Sequence, residues 1–341
     1  VGNLAYDLVL PRDSGKPVSL GGERRNPLLK RMYCSNWRFA LFLLIMSGFW
    51  TSFNQIFITM PEYIRDFTET RPLIEAAESV FGAGEAGESS GVAAAMATIN
   101  ESERQEIATK LGTLSAAQAA GTLDGSQLES GARGLLESKV RLAPEELGAM
   151  VGASGDDLEG LTDRAIVRGR QVNPEFIINV DAGAIILFQV LISFLMARFH
   201  RFTTMITGMV IAAIGIALSA LAGDGGMTGA GGSVWIVITG ILVFGVGEMM
   251  ASPTSQEYVG RIAPRDKVAL YKGYYYVAVA RGNLFGGILS GQLYGRLARD
   301  LQRPDLMWLV VGALMLGTAI VFLLYDRFAL RRGSGQEAVS A

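Results

Sequence analysis

Eight polar side chains stand inside stretches that are otherwise almost free of charge: Asn54, Gln55, Asp181, Gln189, Glu248, Lys272, Arg281 and Asn283. An ionisable group surrounded by hydrocarbon costs several kcal/mol unless it pairs with another group or faces water. The chemistry on offer is therefore ion pairing and proton exchange. Glu248 and Arg281 are the deepest, since at 1.5 Å per residue each lies about 22 Å along its helix from Ser233 and from Asp266 respectively. The expected arrangement is a Glu248 carboxylate with Arg281 as its counter-charge and Asp181 as the rival partner. Lys272 is expected to snorkel to the interface, while Asn and Gln also serve as interhelical glue.

Other chemistries find little support. One cysteine, Cys34, and one histidine, His200, leave no metal-ligand cluster. No nucleophile with a base and no phosphate-cradling loop is visible, so neither an enzyme nor a cofactor is expected. Lys and Arg total 30 against 32 for Asp and Glu, which gives no basic excess for a nucleic-acid backbone.

Half of the 341 residues are hydrophobic and 18% are charged, well below the quarter usual in soluble domains. Runs long enough to cross a bilayer, about 20 residues, occur at 39–60, 176–197, 202–222 and 306–325. Two more, 233–255 and 268–295, are read as spans with buried charge. Six helices put both termini on one side. Basic residues mark that side as cytoplasmic: Arg24, Arg25, Lys30, Arg31 and Arg38 precede the first span, Arg198 and Arg201 join the second to the third, and Arg327, Arg331 and Arg332 follow the last. The opposite short loops offer Arg296, Arg299 and Arg303.

The expected organisation is a cytoplasmic linker (1–36), a first transmembrane helix (37–65), an extracytoplasmic insert (66–171), five further transmembrane helices (172–330) and a cytoplasmic tail (331–341). The insert is rich in Ala, Gly, Glu and Ser and nearly lacks aromatics. Asn100 with Glu103 has the form of a capping box opening a helix through Leu111, and Pro144 opens another. A loosely packed helical insert and a partly disordered one both remain open. Gly282, Gly286, Gly287, Gly291 and Gly295 are assigned to close helix packing. Trp50 and Tyr274, Tyr275 and Tyr276 are candidates to line a cavity, although consecutive residues face different ways, so at least two of the tyrosines are expected in packing. Pro253 is expected to bend or open its helix.

Four motifs in order resemble the proton-dependent oligopeptide transporter family of the major facilitator superfamily. Phe49-Trp50-Thr51-Ser52-Phe53-Asn54-Gln55 is similar to the family's Phe-Trp-x-x-x-Glu-Gln on its seventh helix. Asn173-Pro174-Glu175-Phe176-Ile177 resembles the start of the eighth, Gly247-Glu248-Met249-Met250-Ala251-Ser252-Pro253 with Ala263-Pro264 the tenth, and Gly273 followed by tyrosines and Gly282-Asn283 the eleventh. The resemblance covers residues 36–65 and 173–330. It implies an all-α membrane protein: the carboxy-terminal six-helix half of a facilitator bundle, interrupted by a helical or partly disordered insert. The amino-terminal six-helix half is then absent from this chain, which begins at Val1 without Met and reads as a fragment.

The implied activity is proton-coupled symport of small peptides or related solutes across the cell membrane. The implied partners are the lipid bilayer, the substrate, protons and the missing half. Glu248, Arg281, Asn54, Gln55, Trp50, Asp181 and Asn283 are the implied substrate and coupling residues. Asn54 departs from the pattern, standing where the family has a titratable glutamate. Asp181 falls where the family often has Pro, Arg281 where it usually has a small residue, and the long insert where its loop is short. A membrane-anchored receptor or assembly protein binding a partner through the insert is the competing reading.

Overall fold

Apolar runs broken by polar, glycine-rich joints fold as helices because the backbone must satisfy its own hydrogen bonds in lipid. In the computed structural model, residues 37–81, 95–154, 157–223, 233–265 and 267–330 are described. The expected linker (1–36) and tail (331–341) lie outside the described residues. The chain divides into two units, Val1–Trp37 and Arg38–Ala341. The helical bundle and the insert belong to the second, apart from Trp37 at the start of the first helix. Among the described residues there are helices and isolated β-bridges but no strand.

The first span is broken into three pieces: α1 (Trp37–Phe53), α2 (Gln55–Ile58) and α3 (Met60–Phe67). Pro61 accounts for the second break, since it has no N–H to give the Phe57 carbonyl. At the first, the side-chain amides of Asn54 and Gln55 bind the carbonyls of Trp50 and Thr51 (2.7 and 3.1 Å), competing with the backbone ladder. The remaining bundle comprises α9 (Pro174–Ile178) continued by α10 (Val180–Met196), α11 (Arg201–Leu218), α12 (Val234–Ile262), α13 (Val268–Leu293) and α14 (Pro304–Tyr325). Asn173 caps α9 by accepting from the Glu175 N–H at 3.1 Å, with Pro174 at the first helical position.

Six spans are expected from the sequence. Among the described residues five helical segments are both long and apolar enough to cross a bilayer. The sixth, α13, has the length, 26 residues, but its tyrosines, glycines, Lys272 and Arg281 lower its hydropathy below that of the others.

The insert is helical: α4 (Arg71–Phe81), α5 (Glu101–Ala119), α6 (Gly125–Glu137), α7 (Pro144–Ser154) and α8 (Leu158–Gly169). The expected capping box is present, with the Asn100 side chain accepting from the Glu103 N–H and the Glu103 carboxylate accepting from the Asn100 N–H, both at 2.9 Å. The helix runs past Leu111 because Ile107, Leu111 and Leu114 continue one buried stripe. Asp124 and Gln127 form a second box that opens α6. Partial burial raises the Glu103 carboxyl, but the Lys139 ammonium at 2.8 Å and the Asn100 N–H more than offset this and hold it below the usual carboxylate range.

Among the described residues the insert is packed, not loose. Ile107, Leu111, Leu135, Val140, Leu147 and Ala165 are wholly buried in a core of their own, built from aliphatic residues without aromatics. Leu73, Ile74 and Ala77 of α4 belong instead to the core of the bundle. The insert's two ends are joined by Gln171, whose Oε1 accepts from the Thr70 N–H and hydroxyl (2.8 and 2.9 Å). Arg141 of the insert donates to the Arg65 carbonyl in the last turn of α3 at 2.8 Å, capping a group that has no helical donor.

Leu111→Ala should destabilise the insert by about 2–4 kcal/mol through the cavity it leaves. Tryptic cleavage at Arg133, an exposed residue of α6, should accelerate while the bundle stays protected. An unchanged cleavage rate would mean that the α5–α8 core does not hold this segment together.

Candidate functional site

The site is organised by α12. Its Gly240 and Gly247, seven residues apart, face Gly215 and Gly208 of α11. A Cβ on Gly208 would stand 2.7 Å from the Gly247 carbonyl oxygen, and one on Gly240 would stand 2.8 Å from that of Gly215. Neither contact tolerates a side chain, so the backbones of α11 and α12 touch. With α11 occupying that side, Gly245 and Glu248 are turned toward α10.

Asp181, in the first turn of α10, is 2% exposed and lies against α12, where a Cβ on Gly245 would collide with its Oδ1. Its carboxyl lies beside that of Glu248, one helical turn on from Gly245. One oxygen of each, Asp181 Oδ1 and Glu248 Oε2, is buried with no hydrogen-bond partner. Glu248 therefore faces a second carboxyl and not the guanidinium expected of Arg281.

Arg281 is exposed on α13 and makes no ion pair among the described residues. It is two residues from Asn283, which at 100° per residue puts the two on flanks of α13 about 160° apart. The buried stripe of α13, Tyr275, Ala278, Gly282, Gly286 and Ser290, lies between those flanks. Asn283 Oδ1 accepts from the Asn54 amide at 2.5 Å, at the first break in the opening span.

Next to it the wholly buried Gln55 donates to the Gly286 carbonyl at 2.9 Å and accepts from the Thr59 hydroxyl, which lies 2.8 Å from Ser290 Oγ. Trp50 Nε1 donates to the Tyr275 hydroxyl (3.3 Å), which also bonds Ser255 Oγ of α12 (2.8 Å). The seven residues singled out in the sequence thus form a carboxyl pair (Asp181, Glu248), an α1–α2 to α13 polar seam (Trp50, Asn54, Gln55, Asn283), and Arg281 apart from both.

Of the three tyrosines, Tyr275 is buried, Tyr274 is half-buried against the core and Tyr276 is 59% exposed. Lys272 is exposed near the start of α13. Arg201 pairs with Glu257 at 3.0 Å, and Glu257 also pairs with Arg261 at 2.8 Å. Sequence reading missed Thr59, Ser290 and Ser255, whose small hydroxyls carry no signal of their own. It also missed the paired glycines of α11 and α12, which were legible as two seven-residue spacings.

Residues 176–340 match the family model of the Major Facilitator Superfamily. No curated protein and no solved structure matches the chain. The match covers just under half of the chain; with the five apolar helices it supports a multi-pass membrane protein.

The five glycines assigned to packing divide in two. A Cβ on Gly282 would meet the Ser47 carbonyl at 2.9 Å as well as Trp50, and one on Gly286 the Thr51 carbonyl at 3.2 Å, whereas Gly287, Gly291 and Gly295 have nothing within 4 Å. Gly282→Ala should therefore cost about 1–3 kcal/mol, and Gly287→Ala should be neutral or stabilising by up to about 1 kcal/mol. Thermal denaturation of the two variants in detergent checks this; equal melting temperatures would contradict the α1–α13 contact.

Proposed function

We propose that this chain is the carboxy-terminal half of a proton-coupled transporter of small peptides or related solutes, and that Asp181 and Glu248 together carry the coupled proton. The observation that supports this best is the contact of two carboxyls, each with a buried oxygen lacking a partner. Side by side in a low-dielectric seam, two carboxylates cannot both be ionised without strong repulsion, so the pair is a place to hold one proton and release it when α10 and α12 move apart. Peptide cargo rests on the resemblance of four motifs to the oligopeptide family.

Arg281 has a different part in this reading. It lies about 20 Å along α13 from Val268, exposed beside Val277, Leu284, Phe285 and Ile288. A guanidinium at that depth needs a protein partner or a water-filled cavity. A second six-helix half against α13 would supply either, and facilitator folds put substrate between two such halves. The match to a transporter superfamily favours this over a receptor or assembly role for the insert.

In the intact protein in proteoliposomes, Glu248→Gln and Asp181→Asn should each abolish accumulation of a dipeptide driven by a proton gradient while sparing exchange at equal concentrations. Each variant keeps shape and loses the ability to cycle a proton. Gradient-driven uptake at the parental rate in both would remove the pair from the coupling role.

The basic flanks of the spans support cytoplasmic termini with the insert outside. A cysteine replacing Ser126, an exposed residue of α6, should react with an impermeant maleimide added to intact cells. Labelling only after permeabilisation would invert the topology.

A further inference from the structure

Pro253 lies inside the 29-residue α12. Proline has no N–H, so the acceptor four residues earlier, the Met249 carbonyl, loses its helical donor. In a membrane an unsatisfied carbonyl is expensive, and such breaks persist where a neighbouring helix supplies a donor. Gln189 of α10 supplies it: its Nε2 donates to Met249 O at 3.3 Å and to Ser193 Oγ at 2.9 Å. This bond joins the side chain to the carbonyl that Pro253 deprives, and so repairs a specific gap. On the other side of the break, Ser255 Oγ donates to Ser252 O at 2.7 Å and lies 2.8 Å from the Tyr275 hydroxyl of α13.

We propose that Pro253 is a hinge in α12 and that Gln189 is the positioning residue that holds it closed. While α10 lies against α12, the Met249 carbonyl is satisfied and the helix keeps its course. When α10 withdraws, that carbonyl is freed and α12 bends there. Glu248 immediately precedes Met249, and Asp181 and Gln189 are both on α10. A movement that separates the two carboxyls therefore breaks the clasp as well. Its use in a transport cycle rests on the function proposed above, whereas the clasp itself does not.

A double-mutant cycle isolates the clasp, because Pro253→Ala restores the missing N–H and makes the Gln189 donor redundant. Backbone deuterium exchange across residues 246–258 is measured on the protein in nanodiscs, without substrate or gradient. Gln189→Leu should accelerate exchange there about 5- to 10-fold, the factor expected from losing one partly buried hydrogen bond. The same substitution in the Pro253→Ala background should change it by less than about twofold.

Gln189→Met, which keeps the length of the side chain and drops the donor, replaces the leucine variant if that one fails to insert. Parental exchange in the single variant, or equal acceleration in both backgrounds, would overturn the clasp and leave Gln189 as ordinary packing. A failed clasp leaves the Glu248 test standing, and parental uptake by Glu248→Gln leaves the clasp standing.

Discussion

The close approach of α11 and α12 is the constraint from which the rest of the bundle follows. Lipid tails are as apolar as leucine, so helices in a membrane associate by packing and by interhelical hydrogen bonds, not by leaving water. Gly208, Gly215, Gly240 and Gly247 remove the side chains that would hold two helix backbones apart. Once α11 lies there, the remaining directions around α12 are assigned. Phe244 meets Phe53 of α1 with ring centroids 5.2 Å apart, Gly245 and Glu248 meet α10, and Ser255 meets Tyr275 of α13.

Around that hub, polar groups are of two kinds. Gln55, Thr59 and Ser290 satisfy one another and the Gly286 carbonyl within one seam. A fully satisfied polar network specifies how two helices meet and leaves no group free for other chemistry. Asp181 and Glu248 are the contrary case, each with a buried oxygen that no group among the described residues binds. Proline adds a third circumstance, in which backbone and not side chain lacks a partner, and the neighbouring helix provides the donor.

The insert is built differently from the bundle. Its core is small, aliphatic and separate from that of the bundle, and its helices are opened by side-chain caps of the kind seen in soluble domains. It is nevertheless tied to the bundle at its root, where Gln171 binds Thr70 and Arg141 binds the end of α3. Those bonds tie the root of the insert to the first span.

The sequence by itself determined the helical class, the apolar spans, the Asn100 capping box, the start of α9 at Asn173 and Pro174, and the depth of Glu248 along its helix. These are local matters of hydropathy, spacing and cap chemistry, set within a few turns of chain. It also named both members of the carboxyl pair but preferred Arg281 as the partner of Glu248, because opposite charges on consecutive helices are the simpler reading. Only the tertiary structure decided that α10 and not the Arg281 flank of α13 lies against Glu248. The same holds for the glycines, where Gly282 and Gly286 pack and Gly287 and Gly291 do not, although all lie in one run, and for Gln189, which reads as glue until Pro253 is seen to leave a carbonyl beside it. The physical reason is common to the three: helix periodicity fixes which residues share a face, while which face meets which neighbour depends on backbone approach between distant segments.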